Sequence, residues 1–591
     1  DHSPCMDNAD VIEILEEIAV LLELKGENPF KTRAYVNGAR TLETGQTSVA
    51  VLVNEGRLGE LKGFGEALQK KVTELVLTGK LKYYEDLKAS IPAGLIEMLN
   101  IPGLGPKKIK ALNGTLGIES IEALESACRK DEIAGIKGFG AKTQQKILDG
   151  IEFRKKYASH HRLDVALATA ESILDFLRQH DDVIRCSEAG SLRRRKEILH
   201  DIDFLASSKQ ATRVIEDFTS LPFVVSVQAK GDTKASVILH GGIQADLRVI
   251  DDKSFPFALA YFTGSKEHNI IMRRRAIERG LRLSEYGLFR SKEETRDMAL
   301  CLACCTEEDI FKHLDLDYIP PELREDSGEF EAAETGKIPR LVEWREMKGS
   351  LHNHSDWSDG RQSLAQLVKD CLELGFSYWA VTDHSKSSFQ ANGLQASRLE
   401  RQIEDIEQIN RELSLENTSF QLLTGTEVDV MSDGSLDFKD SLLAKLDVVV
   451  ASIHQGFTQS RNQLTHRLIK AAENPFVHML GHMSGRLLLQ REPYAIDHQS
   501  VIDACARTGT WIELNASPYR LDMDWRWWRY AKEKGVKCVI NCDAHHLDHA
   551  GFLRLGAEHA RKGWLEKRDI INTLPLDDLK VELAKKRKFI S

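Results

Sequence analysis

Apolar residues recur at helical spacing through roughly the first 155 residues of the chain. The stretch "VIEILEEIAVLLEL" (Val11–Leu24) has the 3.6-residue period of an amphipathic helix. Further stretches of the same kind are separated by short, glycine-containing turns. This part of the chain therefore predicts a set of packed α-helices.

Three related segments recur within this helical region. Each has an apolar residue and a Gly-apolar-Gly turn, followed by a helix that carries lysines. Such a turn can open its backbone N–H groups at a helix start, where a phosphate oxygen is favoured, and can hold DNA without reading its sequence. A Gly-x-Gly turn also occurs between helices that bind nothing, but three copies favour the phosphate interpretation and resemble helix-hairpin-helix motifs. The predicted DNA-binding glycines are Gly63 and Gly65 in "LKGFGEALQKKV", Gly103 and Gly105 in "IPGLGPKKIKAL", and Gly138 and Gly140 in "IKGFGAKTQQKI".

The periodicity changes after about Val165. A predicted helix, "ALATAESILDFLRQH", leads into three strand-like runs, "HDIDFLAS", "ASVILHG" and "IQADLRVI". The segment that begins "YIPPELREDSGEFE" at Tyr318 is rich in proline and acidic residues, which indicates a linker. Beyond it, apolar strand-like runs alternate with helical stretches, which is typical of an α/β domain.

Composition adds little to this pattern. Hydrophobic residues make up 42% and charged residues 29% of the 591 residues, as in ordinary globular proteins. The net charge of −10 argues against a uniformly nucleic-acid-binding chain, but "RRRK" (Arg193–Lys196) and "RRR" (Arg273–Arg275) are basic. We expect no secretion leader, and no apolar run in the sequence approaches the ~18–20 residues that span a membrane. The ten scattered cysteines, including "CLACC", are expected to be reduced thiols, and we expect a cytoplasmic, nucleoid-associated protein.

The first candidate chemical centre lies in "GSLRRRKEILHDIDFL". Asp201 and Asp203 are two apart on a predicted strand and so project from one face, and Asp246 lies on a run that could pair alongside. Three converging carboxylates repel one another unless cations lie between them, which predicts two Mg²⁺ or Mn²⁺ ions of the kind that serve transfer from a triphosphate. Gly190 and Ser191 offer a turn for phosphate oxygens, with Arg194 close behind; an Asp-x-Asp pair by itself is common on surface strands.

Together these residues resemble a nucleotidyltransferase palm, and the following "YFTGSKEHNIIMRRR" looks like the nucleotide-selecting segment of family X DNA polymerases. The resemblance covers about residues 6–318. It implies that Tyr261 and Phe262 lie against the sugar of the incoming nucleotide, beside Gly264, and that Asn269 and Arg273 touch the nascent base pair. One departure is Gln244, because many relatives have a basic residue two positions before the third aspartate.

The second candidate centre begins at "LHNHSDWSDG". His352 and His354 share a face of a predicted strand, and Asp359 follows in a turn. Further candidate ligands stand at the ends of later apolar runs, where a parallel barrel of about seven strands would bring them to one mouth. These later candidates are His384, Glu427, His454, His482, Asp543 and His545.

This half resembles the polymerase-and-histidinol-phosphatase (PHP) domain, a distorted seven-stranded barrel with a trinuclear metal site. The resemblance implies a first ion on His352, His354, Glu427 and Asp543, a second on Glu427, His454 and His482, and a third on Asp359, His384 and His545. Up to three Zn²⁺ or Mn²⁺ ions and hydrolysis of a phosphodiester are expected, since none of the nine ligands is missing.

The whole order of parts looks like a bacterial or archaeal family X DNA polymerase with a PHP barrel. We therefore expect gap filling on gapped or primer-template DNA with deoxynucleoside triphosphates, metal-dependent 3′-end processing, no membrane partner, and a monomer. The processing reaction stays open between a 3′-5′ exonuclease, an abasic-site endonuclease and a 3′-phosphatase. The alternative is a PHP phosphoesterase acting on a small phosphate, with the front half as a DNA-binding module.

The predicted fold is multidomain: a helical helix-hairpin-helix N-terminal region, an α+β palm with fingers and thumb, and a distorted (β/α)7 barrel. The predicted domains are residues 6–90 (helix-hairpin-helix, lyase-like), 91–160 (second helix-hairpin-helix region), 161–252 (palm), 253–317 (nucleotide-selecting subdomain), 318–345 (linker) and 346–591 (PHP domain).

Lys71 lies in the helix after the first Gly-x-Gly turn. Family X enzymes that excise a 5′-deoxyribose phosphate use a lysine at the matching position, as a Schiff-base nucleophile. Lys70 and Lys62 are close in sequence and would help Lys71 to lose its proton. Two interpretations of Lys71 stay open at this point, the nucleophile of a lyase and a simple contact to a DNA phosphate.

Overall fold

The computed structural model describes residues 6, 8–45, 47–290 and 295–589, with the side chain of residue 589 left out. The chain divides into two compact units, Asp1–Ala158 and Ser159–Ser591. The nine cysteines among these residues are free, and Cys305 is exposed. No helix in the described ranges is long and apolar enough to cross a bilayer.

The first unit is wholly helical, as predicted. Its core is formed by the apolar faces of the first helices, including Leu15, Ile18 and Leu22, together with residues such as Ile109 and Leu112. Its helices are α1 (Asn8–Lys25), α2 (Pro29–Thr44), α3 (Val49–Asn54), α4 (Glu66–Thr78), α5 (Lys82–Ala89), α6 (Ala93–Met98), α7 (Pro106–Leu116), α8 (Ile121–Arg129) and α9 (Ala141–Tyr157).

The second unit begins with an α+β region built on a five-stranded sheet. Its elements are β1 (His161–Arg162), α10 (Leu163–Gln179), β2 (Arg185–Ala189), α11 (Gly190–Arg193), β3 (Ile198–Leu199), β4 (Asp201–Ser207), α12 (Ala211–Thr219), β5 (Val224–Lys230), β6 (Lys234–Leu239) and β7 (Gln244–Ile250). The strand-like runs "HDIDFLAS", "ASVILHG" and "IQADLRVI" form β4, β6 and β7, in that order. Within the sheet the strands are arranged in the order β2-β4-β7-β6-β5.

A smaller subregion follows the sheet. It contains α13 (Phe255–Thr263), α14 (Lys266–Glu278), β8 (Arg282–Leu283), β9 (Leu288–Phe289), α15 (Glu307–His313) and α16 (Glu329–Glu334). The segment 318–345, predicted as a linker, is folded into this subregion. Its residues Ile319 and Leu323 are buried in the local core, and the buried Arg324 pairs with Glu307 at 2.8 Å. These contacts stabilise a segment whose proline and acid content suggests open chain.

The remainder is a seven-stranded parallel sheet whose order follows the chain, β10 to β16. A parallel bridge between Asn353 and Ala544 joins the segments just beyond the first and last strands, so the sheet is a nearly closed barrel and the predicted (β/α)7 fold is confirmed. Its elements are β10 (Gly349–Ser350), α17 (Leu364–Leu374), β11 (Tyr378–Val381), α18 (Ala396–Leu415), β12 (Gln421–Asp429), α19 (Asp440–Leu443), β13 (Val448–Ser452), α20 (Arg461–Glu473), β14 (Met479–Leu480), α21 (His498–Thr508), β15 (Trp511–Asn515), α22 (Trp525–Glu533), β16 (Cys538–Asn541), α23 (Phe552–Lys562) and α24 (Leu576–Phe589).

The barrel and the five-stranded sheet pack against each other within the second unit. Leu488, Leu521 and Leu555 of the barrel half lie in the same apolar cluster as sheet residues such as Phe204 and Leu247. Burying such side chains contributes roughly 1.5–3 kcal/mol each. The two chemical centres are therefore carried by one compact unit.

Candidate functional site

The nine predicted barrel ligands lie at or beyond the carboxyl ends of the parallel strands. His352 and His354 follow β10, His384 follows β11, and Glu427 lies near the end of β12. Because parallel strands end at one rim of a barrel, residues that are far apart in sequence meet there. The structure brings the ligand atoms of eight of the nine into three overlapping groups.

Within each group the ligand atoms lie within 4.8 Å of one another. The groups are His352, His354, Glu427 and Asp543; His384, Glu427 and His454; and His354, Asp359, His384 and His545. His354 and His384 each take part in two groups, whereas the resemblance assigns each of them to one ion. His482 is outside these groups, but its Nε2 lies 3.0 Å from Glu427 Oε2.

The donor atoms fit a metal centre. His354 Nδ1, His384 Nδ1 and Glu427 Oε1 are buried and have no hydrogen-bond partner, although His384 Nδ1 lies 3.3 Å from Glu427 Oε1. Buried polar atoms are nearly always paired, and a cation bound between these nitrogen and oxygen atoms would satisfy them. Mixed imidazole and carboxylate donors suit Zn²⁺ or Mn²⁺.

The electrostatics of this centre agree with that interpretation. Burial would raise the pKa of the Glu427 carboxyl, but His352, His454 and His384 outweigh burial and hold it well below its usual range. Burial would lower the pKa of His352, but the neighbouring Asp543, Glu427 and Glu513 raise it well above its usual value. Protons therefore compensate the clustered carboxylates, and bound cations could take their place.

Two carboxylates that sequence reasoning missed orient the histidines. Glu513 Oε2 lies 2.6 Å from His352 Nδ1, and Asp429 Oδ1 lies 2.6 Å from His454 Nδ1. Each contact turns the other ring nitrogen, Nε2, toward Glu427, at 3.1 Å in both cases. Partners of this kind fix the tautomer and the orientation of a metal ligand. The available signal was an acidic residue inside an apolar strand, as in "WIELN".

Glu513 is the more connected of the two. It is fully buried and also accepts hydrogen bonds from Asn541 Nδ2 at 2.8 Å, Asn515 Nδ2 at 3.0 Å and His482 N at 2.9 Å. One carboxylate thus links the ends of several barrel strands to two predicted ligands. Glu513 therefore fixes the orientation of the His352 ring and holds the backbone of His482.

The backbone is strained at two of the predicted ligands. His482 has φ +24° and Asp543 has φ +48°, values that residues with a side chain rarely adopt. Strain of this kind persists only where surrounding contacts impose it, and it clusters at functional sites.

His498, His546 and His549 lie outside the predicted ligand set, and all three are half-buried. His549 Nδ1 accepts a hydrogen bond from His545 N at 3.1 Å, and His498 stacks on Trp527 with ring centroids 4.9 Å apart. These contacts come from loops and helices that fold over one another, which sequence spacing does not reveal.

The three aspartates of the five-stranded sheet form a second carboxylate cluster. β4 and β7 pair in parallel with Asp203 opposite Asp246, and ligand oxygens of Asp201, Asp203 and Asp246 lie within 4.8 Å of one another. Burial and then the charges of Asp201 and Asp246 raise the pKa of Asp203 to about 7. This mutual repulsion is what divalent cations would relieve, so the cluster fits the predicted ions.

The predicted phosphate turn lies directly against this cluster. Gly190 has φ +62°, and a Cβ there would lie 2.2 Å from Asp203 Oδ2, so only glycine permits the close approach. Ser191 follows in the short helix α11. Arg194 Nε donates to Glu325 Oε1 at 2.7 Å and its Nη1 donates to Thr263 O at 2.6 Å. The arginine therefore joins the phosphate turn to the nucleotide-selecting segment.

That segment is arranged around two aromatic rings. Tyr261 and Phe262 are edge to face with centroids 5.0 Å apart, and Gly264 follows with φ +71°. Asn269 Nδ2 donates to Tyr261 O at 2.7 Å, and Arg273 lines the same small cavity as Tyr261 and Asn269. Tyr261, Asn269 and Arg273 therefore lie together.

Gln244, the departure noted in the sequence, bonds to the third aspartate. Its Nε2 donates to Asp246 Oδ1 at 3.1 Å. Arg248, two residues beyond Asp246, lies 4.2 Å from the centroid of the Phe262 ring. The neutral amide of Gln244 thus stands where many relatives have a basic side chain, and the positive charge of Arg248 lies further along the same face of the strand.

The three Gly-x-Gly turns of the first unit share one geometry. Gly63, Gly103 and Gly138 have φ between +82° and +88°, and helices α4, α7 and α9 begin after the second glycine without a side-chain cap. A Cβ added at any of the six glycines would meet no atom within 4 Å. Uncapped helix N–H groups in open space are suited to phosphate oxygens.

Lys71 lies beside an aromatic pair that the sequence did not indicate. Its Nζ lies 4.6 Å from the centroid of the Tyr83 ring, which stacks on Tyr35. Lys31 Nζ, from α2, lies 5.8 Å from the same centroid, whereas Lys70 pairs with Glu66 at 3.2 Å. Lys71 and Lys31 therefore approach one ring.

Known families match successive parts of the chain. Family models match the chain as a helix-hairpin-helix domain (6–81), a SAM-like helix-hairpin-helix tandem (95–152), a DNA polymerase beta thumb (258–325) and a PHP domain (350–573). The chain is 38% identical to the DNA polymerase/3′-5′ exonuclease PolX of Bacillus subtilis (strain 168), over 98% of this chain and 100% of that protein.

The chain has further relatives that match about 29% of its length. A probable phosphatase of Thermoanaerobacter sp. (strain X514) is 28% identical over 180 residues, which is 29% of this chain and 71% of the phosphatase. A probable phosphatase of Caldanaerobacter subterraneus subsp. tengcongensis is 28% identical over 185 residues, 29% of this chain and 68% of the relative.

Gly105→Ala should weaken DNA binding without unfolding the turn. Gly105 has φ −96°, which alanine adopts freely, and the added methyl meets no protein atom but occupies the space in front of the helix start. We expect the slope of log affinity against log salt to fall by about one, as for one lost phosphate contact. Anisotropy titration of labelled gapped DNA at several salt concentrations measures this.

The matched control for that substitution is Gly114→Ala, inside the same helix α7. It too meets no atom within 4 Å and should leave DNA affinity unchanged. If the Gly105→Ala variant binds DNA as tightly as the unaltered chain, this turn does not contact a phosphate and only connects two helices.

Glu513→Gln should loosen the barrel metal centre while keeping the shape of the side chain. The charge that holds the His352 Nδ1 proton is lost, so we expect metal affinity to fall roughly 10–100-fold. Equilibrium dialysis against Zn²⁺ or Mn²⁺ with elemental analysis measures this. Glu473→Gln, in an exposed ion pair with Arg507, is the control. Full metal affinity in the Glu513 variant would contradict the orienting role.

Proposed function

The chain belongs to the family X DNA polymerases with a C-terminal PHP domain, and we propose that it fills gaps during DNA repair and trims 3′ ends with a second, separate centre. The chain is a DNA polymerase with a 3′-5′ exonuclease activity. The observation behind the assignment of two reactions to two centres is that one chain has two separate clusters of candidate metal ligands. One is the aspartate cluster on the five-stranded sheet, and the other is the histidine and carboxylate cluster in the barrel.

The sheet centre performs polymerisation in this proposal. Asp201, Asp203 and Asp246 hold two Mg²⁺ or Mn²⁺ ions, and Gly190 and Ser191 receive the triphosphate in their turn. When bound, the ions supply charge neutralisation at the reacting phosphate. Arg194 adds a fixed positive charge beside the turn, because its guanidinium is held by Glu325 and Thr263.

The nucleotide-selecting segment completes this site. The Tyr261 and Phe262 rings limit the space for the sugar, and Asn269 and Arg273 contact the nascent base pair. The support for this assignment is the hydrogen bond from Asn269 Nδ2 to Tyr261 O. It holds the residue proposed to contact the base pair next to the residue proposed to contact the sugar.

The barrel centre performs 3′-end hydrolysis. The nine ligands hold up to three Zn²⁺ or Mn²⁺ ions, which when bound activate water and stabilise charge on the phosphodiester. The chain's own residues set this geometry, because Glu513 and Asp429 orient His352 and His454. We assign 3′-terminal nucleotide removal, the activity in the name of the Bacillus relative, ahead of abasic-site cleavage and 3′-phosphate removal.

A small-phosphate phosphoesterase is the second candidate function. The probable phosphatases among the relatives favour it, but they cover only 29% of this chain. It gives no role to the sheet aspartates. We propose gapped DNA and deoxynucleoside triphosphates as substrates, and a monomer that acts on nucleoid DNA.

Asp203→Asn should stop extension and spare degradation. The substitution removes one metal-binding charge from the sheet centre, and we expect extension to fall roughly 10³-fold or more. A 5′-labelled primer on gapped DNA, incubated with Mg²⁺ or Mn²⁺ and with or without nucleotides, reports both reactions in one gel. If both activities fall together, the two-centre proposal is wrong.

The complementary variant combines His352→Ala with His354→Ala. It should abolish 3′-end degradation and lower the bound metal, while extension in Mg²⁺ stays within about twofold, since the two centres share no ligand. Degradation at the level of the unaltered chain would place the nuclease elsewhere.

We also propose that Lys71 forms a Schiff base with a 5′-deoxyribose phosphate. The support is geometric: the Lys71 amine lies over the Tyr83 ring, which Lys31 also approaches, and a Schiff base needs an amine that can attack the sugar aldehyde. Borohydride reduction on a 5′-incised abasic substrate should give a covalent adduct that Lys71→Ala loses and Lys70→Ala keeps. No adduct, or one that survives Lys71→Ala, leaves Lys71 as a phosphate contact.

A further inference from the structure

Lys562 lies in the barrel half but is bonded to the polymerase half. It is the last residue of α23, and its side chain is fully buried. Its Nζ donates to Arg194 O at 2.9 Å, to Glu325 Oε1 at 2.9 Å and to Glu322 O at 3.3 Å, and lies 4.5 Å from the centroid of the Trp525 ring. A buried ammonium group with three acceptors is fully committed to this one location.

The carboxylate that Lys562 contacts is the one that orients Arg194. Glu325 Oε1 accepts from Arg194 Nε at 2.7 Å as well as from Lys562 Nζ. Burial would raise the pKa of the Glu325 carboxyl, but Lys562 and Arg194 outweigh burial and lower it, so Glu325 is an anion between two cations. Losing either cation would alter the position of the other.

Arg194 in turn determines where the polymerase turn meets the nucleotide-selecting segment. Its Nη1 donates to Thr263 O at 2.6 Å, and a Cβ on Gly264 would come 3.0 Å from that nitrogen. Arg193, its neighbour, donates to the Thr263 hydroxyl at 2.8 Å. The end of α13, with Tyr261 and Phe262, is therefore held through this arginine pair.

We infer that Lys562 is a positioning residue for the nucleotide site: from the barrel half, it fixes both the backbone of Arg194 and the carboxylate that orients the Arg194 guanidinium. This rests on the proposed role of Arg194 at the triphosphate. It gives the barrel a part in polymerisation that is independent of its own metal ligands.

Lys562→Met tests the inference, because methionine nearly fills the same space without the three hydrogen bonds. We expect the KM for deoxynucleoside triphosphate to rise about tenfold in gap filling, as for the loss of one charge-assisted hydrogen bond. Degradation of single-stranded DNA from its 3′ end, measured on the same protein without nucleotides, should stay within twofold.

Arg561→Ala is the matched control. Arg561 is the preceding residue of α23 and contacts the same segment through Glu322 at 3.1 Å, but it does not touch Arg194 or Glu325. Thermal unfolding of both variants measures how far each loosens the structure. An equal rise in KM in both variants would make Lys562 a merely structural residue and overturn the inference.

A second variant keeps the test open if Lys562→Met does not fold. Glu325→Gln by itself should raise the KM in the same way, because it removes the charge through which Lys562 acts on Arg194. Where Lys562→Met does fold, adding it to Glu325→Gln should cost little more. An unchanged KM in Glu325→Gln, or fully additive effects, would overturn the inference. If the unaltered chain does not extend primers at all, the proposed polymerase function fails as well, which is a different result from extension with an unchanged KM.

Discussion

Carboxylates that are held close together repel one another unless cations lie between them, and both chemical centres of this chain depend on that repulsion. On the sheet, burial and the neighbouring charges raise the pKa of Asp203 to about 7. In the barrel, buried imidazoles compensate Glu427, and their opposite nitrogens are held by Glu513 and Asp429. At the sheet, bound cations would relieve this repulsion, and in the barrel they would take the place of the protons on the imidazoles. Metal binding would thus supply part of the energy that holds each arrangement in place.

The barrel and the sheet are joined by buried charge as well as by apolar packing. Glu197, four residues before Asp201, accepts from Trp525 Nε1 and from Arg526 Nη1, both at 2.9 Å. A buried carboxylate left without its partners is strongly destabilising, so this pair fixes one arrangement of the two halves. Together with Lys562 it holds the segment between Gly190 and Asp201 from the barrel side. The second unit therefore carries both centres in one structure, in which residues of the barrel hold residues of the sheet region in place.

The first unit has a simpler design. Its three turns present uncapped helix starts in open space, and the sequence repeats the same local geometry each time. Glu66 follows the first turn directly, whereas lysines follow the second and third within one or two residues of the helix start. An acidic residue at that point competes with a phosphate, so the second and third turns are better suited to grip DNA. The first turn instead leads to Lys71 and its aromatic neighbours.

The sequence alone determined the features that depend on local spacing. Alternation on a strand placed Asp201 and Asp203 on one face, the Gly-x-Gly turns predicted their helices, and apolar runs ending in ligands predicted the barrel mouth. Only the tertiary structure decided which groups share a cation site and which residues orient them. His352 meets Glu513 across 161 residues, and Lys562 reaches Arg194 across 368. The folded segment 318–345 was missed for the same reason, since its buried Arg324–Glu307 pair exists only once α15 is in place. Local patterns fix elements because neighbours in sequence share a backbone geometry, whereas contacts between distant residues depend on how whole elements pack.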